Sequence, residues 1–125
     1  MIAFSAARFL HAWFLYLLID PVWLILATRL KKWYPPVDHE NTLRLVSGGL
    51  MAWGALGLAH GLFQGNTREE QVVYGALVGF ITYAVYNGTE FAIRKAWTWD
   101  VAARDMLWGT LLSTAIAFLV YSPVY

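Results

Sequence analysis

The chain has 125 residues, of which 59% are hydrophobic and 14% charged, with a formal net charge of +1 and no cysteine. A soluble domain is about 45–50% apolar and about 25% charged, so both figures point to a membrane. The charge gives no electrostatic case for nucleic acid, and the missing cysteine excludes disulfides, thiol catalysis and thiolate metal sites.

A chain of this length is one domain's worth, and no linker divides it. Residues 1–125 read as a single transmembrane domain, all-α, with four helices in one antiparallel bundle. A helix needs about 20 mostly apolar residues to cross the hydrocarbon core. The first such segment is roughly 4–28. Its basic cluster, Arg29, Lys31 and Lys32, follows the apolar run, whereas a cleaved signal carries its positive charge in front. The segment therefore reads as a retained helix. Asp20 lies nine residues, about 13 Å, from Arg29, which makes it the deepest carboxyl. Such a group costs roughly 2.5–3.5 kcal/mol at the bilayer centre on the insertion scale. Trp23 shares its helical face. Pro21 has no N–H, so the carbonyl of Leu17 loses its helical partner beside Asp20.

The second segment is roughly 43–63. His60 near its end and His11 in the first helix form a second polar patch, read as hydrogen-bonding between helices. Two histidines do not make a metal site. Gly57 and Gly61 have the G-x-x-x-G spacing that allows close helix contact, inside a bundle or between copies. Gly75 and Gly79 repeat it in the third segment, roughly 71–93.

At about 100° per residue, Tyr83, Tyr86, Asn87 and Glu90 fall along one face of that third helix. A polar stripe at this depth must face protein or water. Glu90 also has a simpler outlet, reaching toward Arg94 or Lys95. Asn87-Gly88-Thr89 is a glycosylation sequon that a membrane span would make unreachable. The fourth segment is roughly 101–121. Its Asp105 and Trp108 repeat the D-x-x-W spacing of Asp20 and Trp23. Trp33, Trp97 and Trp99 read as interfacial anchors, an aromatic belt.

Four crossings put the first and third connectors on one side. That side carries Arg29, Lys31, Lys32, Arg44, Arg94, Lys95 and Arg104, and the other only Arg8 and Arg68. The positive-inside rule makes the richer side cytoplasmic. Connectors 29–42 and 94–100 are then cytoplasmic, and both termini extracytoplasmic or lumenal. A soluble bundle would show polar outer faces, which these segments lack.

The order Tyr83, Tyr86 and Thr89 in "YAVYNGTEFAI", then Trp97, then "DMLWGT" from Asp105 resembles a family of small four-helix integral membrane proteins of unknown function. The match is best over about residues 80–113, and Asp20 and Trp23 fall where that family tends to carry an aspartate and a tryptophan. The chain departs where the resemblance implies an aspartate and an asparagine: here stand Asn87 and Glu90, so the negative charge is displaced by one turn.

No phosphate loop, dinucleotide fingerprint or zinc-protease motif is present, nor a serine-hydrolase elbow. No catalytic residue, metal or cofactor is implied; a bound lipid fits the composition. The expected polar cluster is Asp20, Trp23, Tyr83, Tyr86, Asn87, Glu90, Asp105 and Trp108. The expected partners are membrane lipids and either other membrane subunits or further copies of the chain. Three functions fit: a non-catalytic accessory subunit or lipid- or partner-binding protein, an oligomeric proton, cation or small-solute transporter or channel subunit, and a membrane-embedded lipid-modifying enzyme.

Overall fold

Every helix starts on a side chain that replaces a missing backbone partner. In the computed structural model, which describes residues 3–35 and 41–121, Ser5 accepts from the Arg8 amide, Asn41 from Arg44, Thr67 from Glu70 and Thr98 from Val101. Each side chain satisfies one of the orphan donors of a first turn. The helices that follow are α1 (Ala6–Arg29), α2 (Thr42–Leu62), α3 (Arg68–Ile93) and α4 (Trp99–Val120). Among the described residues there is no strand, and the bundle is all-α. Residues 36–40 of the first connector and the ends of the chain lie outside the described residues.

α1, α2 and α4 are each long and apolar enough to cross a membrane. α3 has the length, 26 residues, but Gln71, Asn87 and its glycines and tyrosines hold down its hydropathy. Five of those residues do not face lipid. The buried positions of α3 are Gln71, Gly75, Gly79, Tyr83 and Asn87, spaced strictly by four. The outward faces are apolar instead, as Leu18, Met51, Val85, Leu107 and Leu119 illustrate at more than half exposure each.

The tightest packing is within two hairpins, α3 with α4 and α1 with α2, and the hairpins meet more lightly through α1–α4 and α2–α3. Glycine sets the hairpin spacing. A Cβ on Gly57 would stand 3.0 Å from the Phe9 carbonyl oxygen, and one on Gly79 would stand 2.6 Å from that of Gly109. Both G-x-x-x-G pairs are thus used inside the bundle.

Two clusters fill the interior. Tyr16, Leu56, Tyr83, Leu112, Ile116 and Val120 form the main core. A second cluster, Ala27, Tyr34, Trp97, Val101 and Ala102, closes the end where the first and third connectors meet. There the Tyr34 and Trp97 rings lie 6.0 Å apart, and the Arg104 guanidinium sits 5.3 Å over the Trp33 ring. This is the end rich in basic residues. At the opposite end the Ser5 amide donates to the Gly61 carbonyl at 2.9 Å, and the Tyr121 hydroxyl to that of Asn66 at 3.2 Å.

Candidate functional site

Asp20 and Asp105 are each 4% exposed, and no basic side chain pairs with either among the described residues. An isolated buried carboxylate is costly unless hydrogen bonds replace its lost water. The replacement here comes from donor groups. The Asp20 Oδ2 accepts from the Trp53 indole at 2.8 Å and from the Tyr83 hydroxyl at 3.2 Å, and Oδ1 accepts from the Trp108 indole at 2.8 Å. α1, α2, α3 and α4 thus converge on one carboxyl.

Asp105 is supplied indirectly, and indoles set the direction. An indole N–H can only donate. Trp23 donates to the Tyr34 oxygen at 2.8 Å, which leaves the Tyr34 O–H for Asp105 Oδ1 at 2.8 Å. Trp97 donates to Asn87 Oδ1 at 2.9 Å, which turns the amide nitrogen toward Asp105 Oδ2 at 2.6 Å and the Tyr83 carbonyl at 2.8 Å. Both chains end on Asp105. Burial, and then the Asp105 charge, push the Tyr34 hydroxyl above a tyrosine's ordinary range, so it remains a donor.

The two D-x-x-W pairs exchange partners. Trp108, three residues after Asp105, serves Asp20 of α1; Trp23, three residues after Asp20, serves Asp105 through Tyr34. The two indoles stack on each other at 4.2 Å and 10°. Tyr83 bridges the halves, its hydroxyl on Asp20 and its carbonyl on Asn87. Glycine makes room for that ring: a Cβ at Gly109 would fall on it.

Tyr34 reaches this position through a backbone reversal. Lys32 adopts φ 53°, in the left-handed region, and the Trp33 amide returns to the Ala27 carbonyl at 2.9 Å. The turn folds Tyr34 back under α1 and α4, where it is 8% exposed.

Over the carboxyls lies a groove of about 610 Å³. Asp20, Tyr83 and Asp105 form its floor. Pro21, Leu24 and Ile25 of α1, several residues of α2 and Thr82 and Tyr86 of α3 form its walls. α1 continues as one helix past Pro21. Ile25, Leu45 and Tyr86 on the rim are 54%, 40% and 50% exposed, so the groove opens on the bundle's outer surface. Arg44 stands at the basic end of the same groove.

Of the expected cluster, Asp20, Trp23, Tyr83, Asn87, Asp105 and Trp108 come together. Glu90 does not: it pairs with Arg94 one turn on, at 2.8 Å. The reason is the four-residue spacing of the α3 contact stripe, which advances about 40° per step. By Asn87 the stripe has turned about 60° away from Glu90. Tyr86 is also off the stripe; it forms groove wall and meets the Trp97 ring edge-on at 5.8 Å. The displaced acid of the sequence is therefore outside the network, and Asn87 works as an amide relay.

Three members of the network were not among the expected residues: Tyr34, Trp53 and Trp97. Trp97 is no surface anchor, being 5% exposed with its N–H committed to Asn87. Trp53 had a depth signal, since it lies nine residues from Arg44 as Asp20 lies nine from Arg29. Of the other two presumed anchors, Trp99 is 74% exposed, and Trp33 is half-buried under Arg104.

The second polar patch is built differently. His60 Nε2 and Ser113 Oγ each lie 2.7 Å from the Tyr16 hydroxyl. His11 is five residues, about 140°, around α1 from Tyr16, so another face of α1 answers His60. Further out, Arg8 donates to Gln71 Oε1 at 3.0 Å. Among the described residues no group of three or more metal-ligating side chains occurs.

No curated protein and no solved structure shows significant similarity to this chain. Residues 49–122, well over half of the sequence, match the family described as predicted membrane protein (DUF2177). This stretch holds α3 and α4 complete with Tyr83, Asn87, Trp97, Asp105 and Trp108, and the chain belongs to that membrane-protein family.

Proposed function

We propose that the protein is a non-catalytic membrane component that holds an amphiphile in the groove between α1, α2 and α3. The observation that carries this reading is the groove itself: apolar walls, an opening on the bundle's outer surface, and a floor of two buried carboxyls. An apolar site with few placed polar groups is the usual form of a small-molecule pocket. The other half supports holding over passage. Tyr16, His60 and Ser113 are 0–1% exposed there and tie α1, α2 and α4 together. In the membrane, the basic end faces the cytoplasm, because seven of the nine lysines and arginines flank that end.

A lipid carrying a photoactivated acyl group tests the groove. The expected adducts fall on residues 48–56 and 82–86, and Ala52→Trp, which fills the wall, removes most of them. Labelling spread evenly over the outer surface overturns the reading. Orientation is checked on the cysteine-free background. Lys95→Cys should resist an impermeant thiol reagent in intact cells, while Asn66→Cys should react.

A further inference from the structure

We propose, resting on the groove reading above, that the occupant is a lipid whose head group bears a primary ammonium. The argument starts from the unused acceptors. A carboxylate offers about four acceptor positions. Asp20 receives three donors and Asp105 two. One position on Asp20 and two on Asp105 therefore stay open, and both residues line the groove. Every protein group bonded to these carboxyls donates, so the floor asks for donors and offers none.

Charge points the same way. Neither carboxyl has an ionic partner among the described residues, where the ion pair found is Arg94 with Glu90. Buried charges are ordinarily paired, and an occupant can supply the missing cation. An alkylammonium carries N–H donors and a positive charge, the kind of partner both carboxyls lack. A neutral polyol head would fill acceptors but compensate no charge, whereas one ammonium compensates one carboxyl.

The way in is also visible. Between Arg44 at the rim and Trp53 at the floor, α2 presents Gly48, Gly49 and Ala52 to the groove. A Cβ on Gly48 would meet nothing within 4 Å, and the atoms nearest to one on Gly49 belong to the ring of its own helix's Trp53. The small residues leave a smooth track for a head group to sink from the basic end. Arg44, at the start of that track, has the right sign for the phosphate that aminophospholipids carry.

The test is competitive lipid retention by the full chain. Detergent-solubilised protein is exchanged against equal amounts of dioleoyl phosphatidylethanolamine and dioleoyl phosphatidylglycerol, and the bound lipids are weighed by native mass spectrometry. The expected result is enrichment of the ethanolamine lipid by about tenfold, the size of effect that one charge-assisted hydrogen bond supplies. Asp20→Asn with Asp105→Asn should bring the ratio to about one while total retention persists. If that variant fails to fold, N-acetylated phosphatidylethanolamine on the unaltered protein decides the matter. Acetylation removes the charge, and the enrichment should vanish. Equal retention of the two lipids by the unaltered protein, or full retention of the acetylated lipid, overturns the ammonium assignment and leaves the groove reading standing. Retention of neither lipid, with no groove adduct from the photolipid, overturns both.

Discussion

The two halves of the bundle use the same residue types to opposite ends. In the half away from the basic end, Gly57 and Gly61 let α2 ride on the α1 backbone, and Gly75 and Gly79 let α3 ride on α4. In the basic half, a Cβ on Gly48 would meet nothing within 4 Å and one on Gly49 would first meet its own helix's Trp53, and both glycines line the groove. Tyrosine divides in the same way. Tyr16 is fully buried between His60 and Ser113. Tyr83 has its hydroxyl on Asp20 at the floor of an open cavity. A buried hydroxyl with two partners is structural cement, and one beside spare acceptors is part of a surface that can receive something. What separates the halves is unspent hydrogen-bonding capacity facing a cavity.

The largest effect should come from closing the space that lets the halves communicate. Gly109→Val puts side-chain atoms where the Tyr83 ring lies. That ring cannot yield without breaking its hydroxyl's bond to Asp20. Overpacking usually costs about 1–3 kcal/mol, and occasionally more, so a loss at or above the top of that range is expected. Denaturant titration in detergent, followed by tryptophan fluorescence, reads it. Near-wild-type stability would mean that Tyr83 is free to move, and the Asp20 cluster would lose its central bridge.

A matched pair of deletions tests the comparison directly. Tyr16→Phe strands His60 and Ser113 in a fully buried place, where each unsatisfied polar group costs about 1–3 kcal/mol. Tyr83→Phe removes the longest of three bonds to Asp20, 3.2 Å, and the groove lets water or a head group replace it. We expect a loss of roughly 2 kcal/mol for the first and below about 1 kcal/mol for the second. Equal losses in the same titration would erase the distinction between sealed and open halves.

The sequence made the bundle legible because hydropathy and length determine membrane spans almost alone. Four helices and the end that collects the basic residues follow from that. It also exposed Asp20, Asp105, Trp23, Trp108, Tyr83 and Asn87, since polar groups at that depth stand out. The details it hid are those that depend on helix crossing and loop return. Glu90 lies on the Tyr83 face of an isolated helix, and only the drift of the α3–α4 contact stripe separates them. Tyr34 sits in a connector, and nothing local reveals that Lys32 turns the backbone to fold it inward. Trp97 looks like a surface anchor until Asn87 supplies a buried acceptor. The partner exchange between the two D-x-x-W pairs was also beyond reach, because spacing within a helix says nothing of which helix a side chain serves.

A smaller effect, aimed at the groove alone, comes from Gly49→Ala. The added Cβ would stand 2.8 Å from the Trp53 ring, so the indole must shift and its bond to Asp20 must lengthen. Replacing a helical glycine with alanine gains about 1 kcal/mol, which offsets the lost bond. Stability should stay within about 0.5 kcal/mol of the unaltered protein. The photolipid label on residues 48–56, by contrast, should fall clearly. Loss of stability with labelling intact would assign Trp53 to structure and not to the site.

The smallest effect sharpens the border of the network. Glu90 and Arg94 form an i, i+4 pair with side chains 17% and 38% exposed, in the favourable order along the helix. Such pairs are worth about 0.3–0.5 kcal/mol. Glu90→Gln should therefore cost no more than that, and it should leave lipid retention unchanged. Asp105→Asn, one helix away, alters an acceptor that Tyr34 and Asn87 both need, and it should cost several times as much. An equal cost for the two substitutions would place Glu90 inside the cluster. The four-residue drift of the α3 stripe would then no longer explain which of its acids are used.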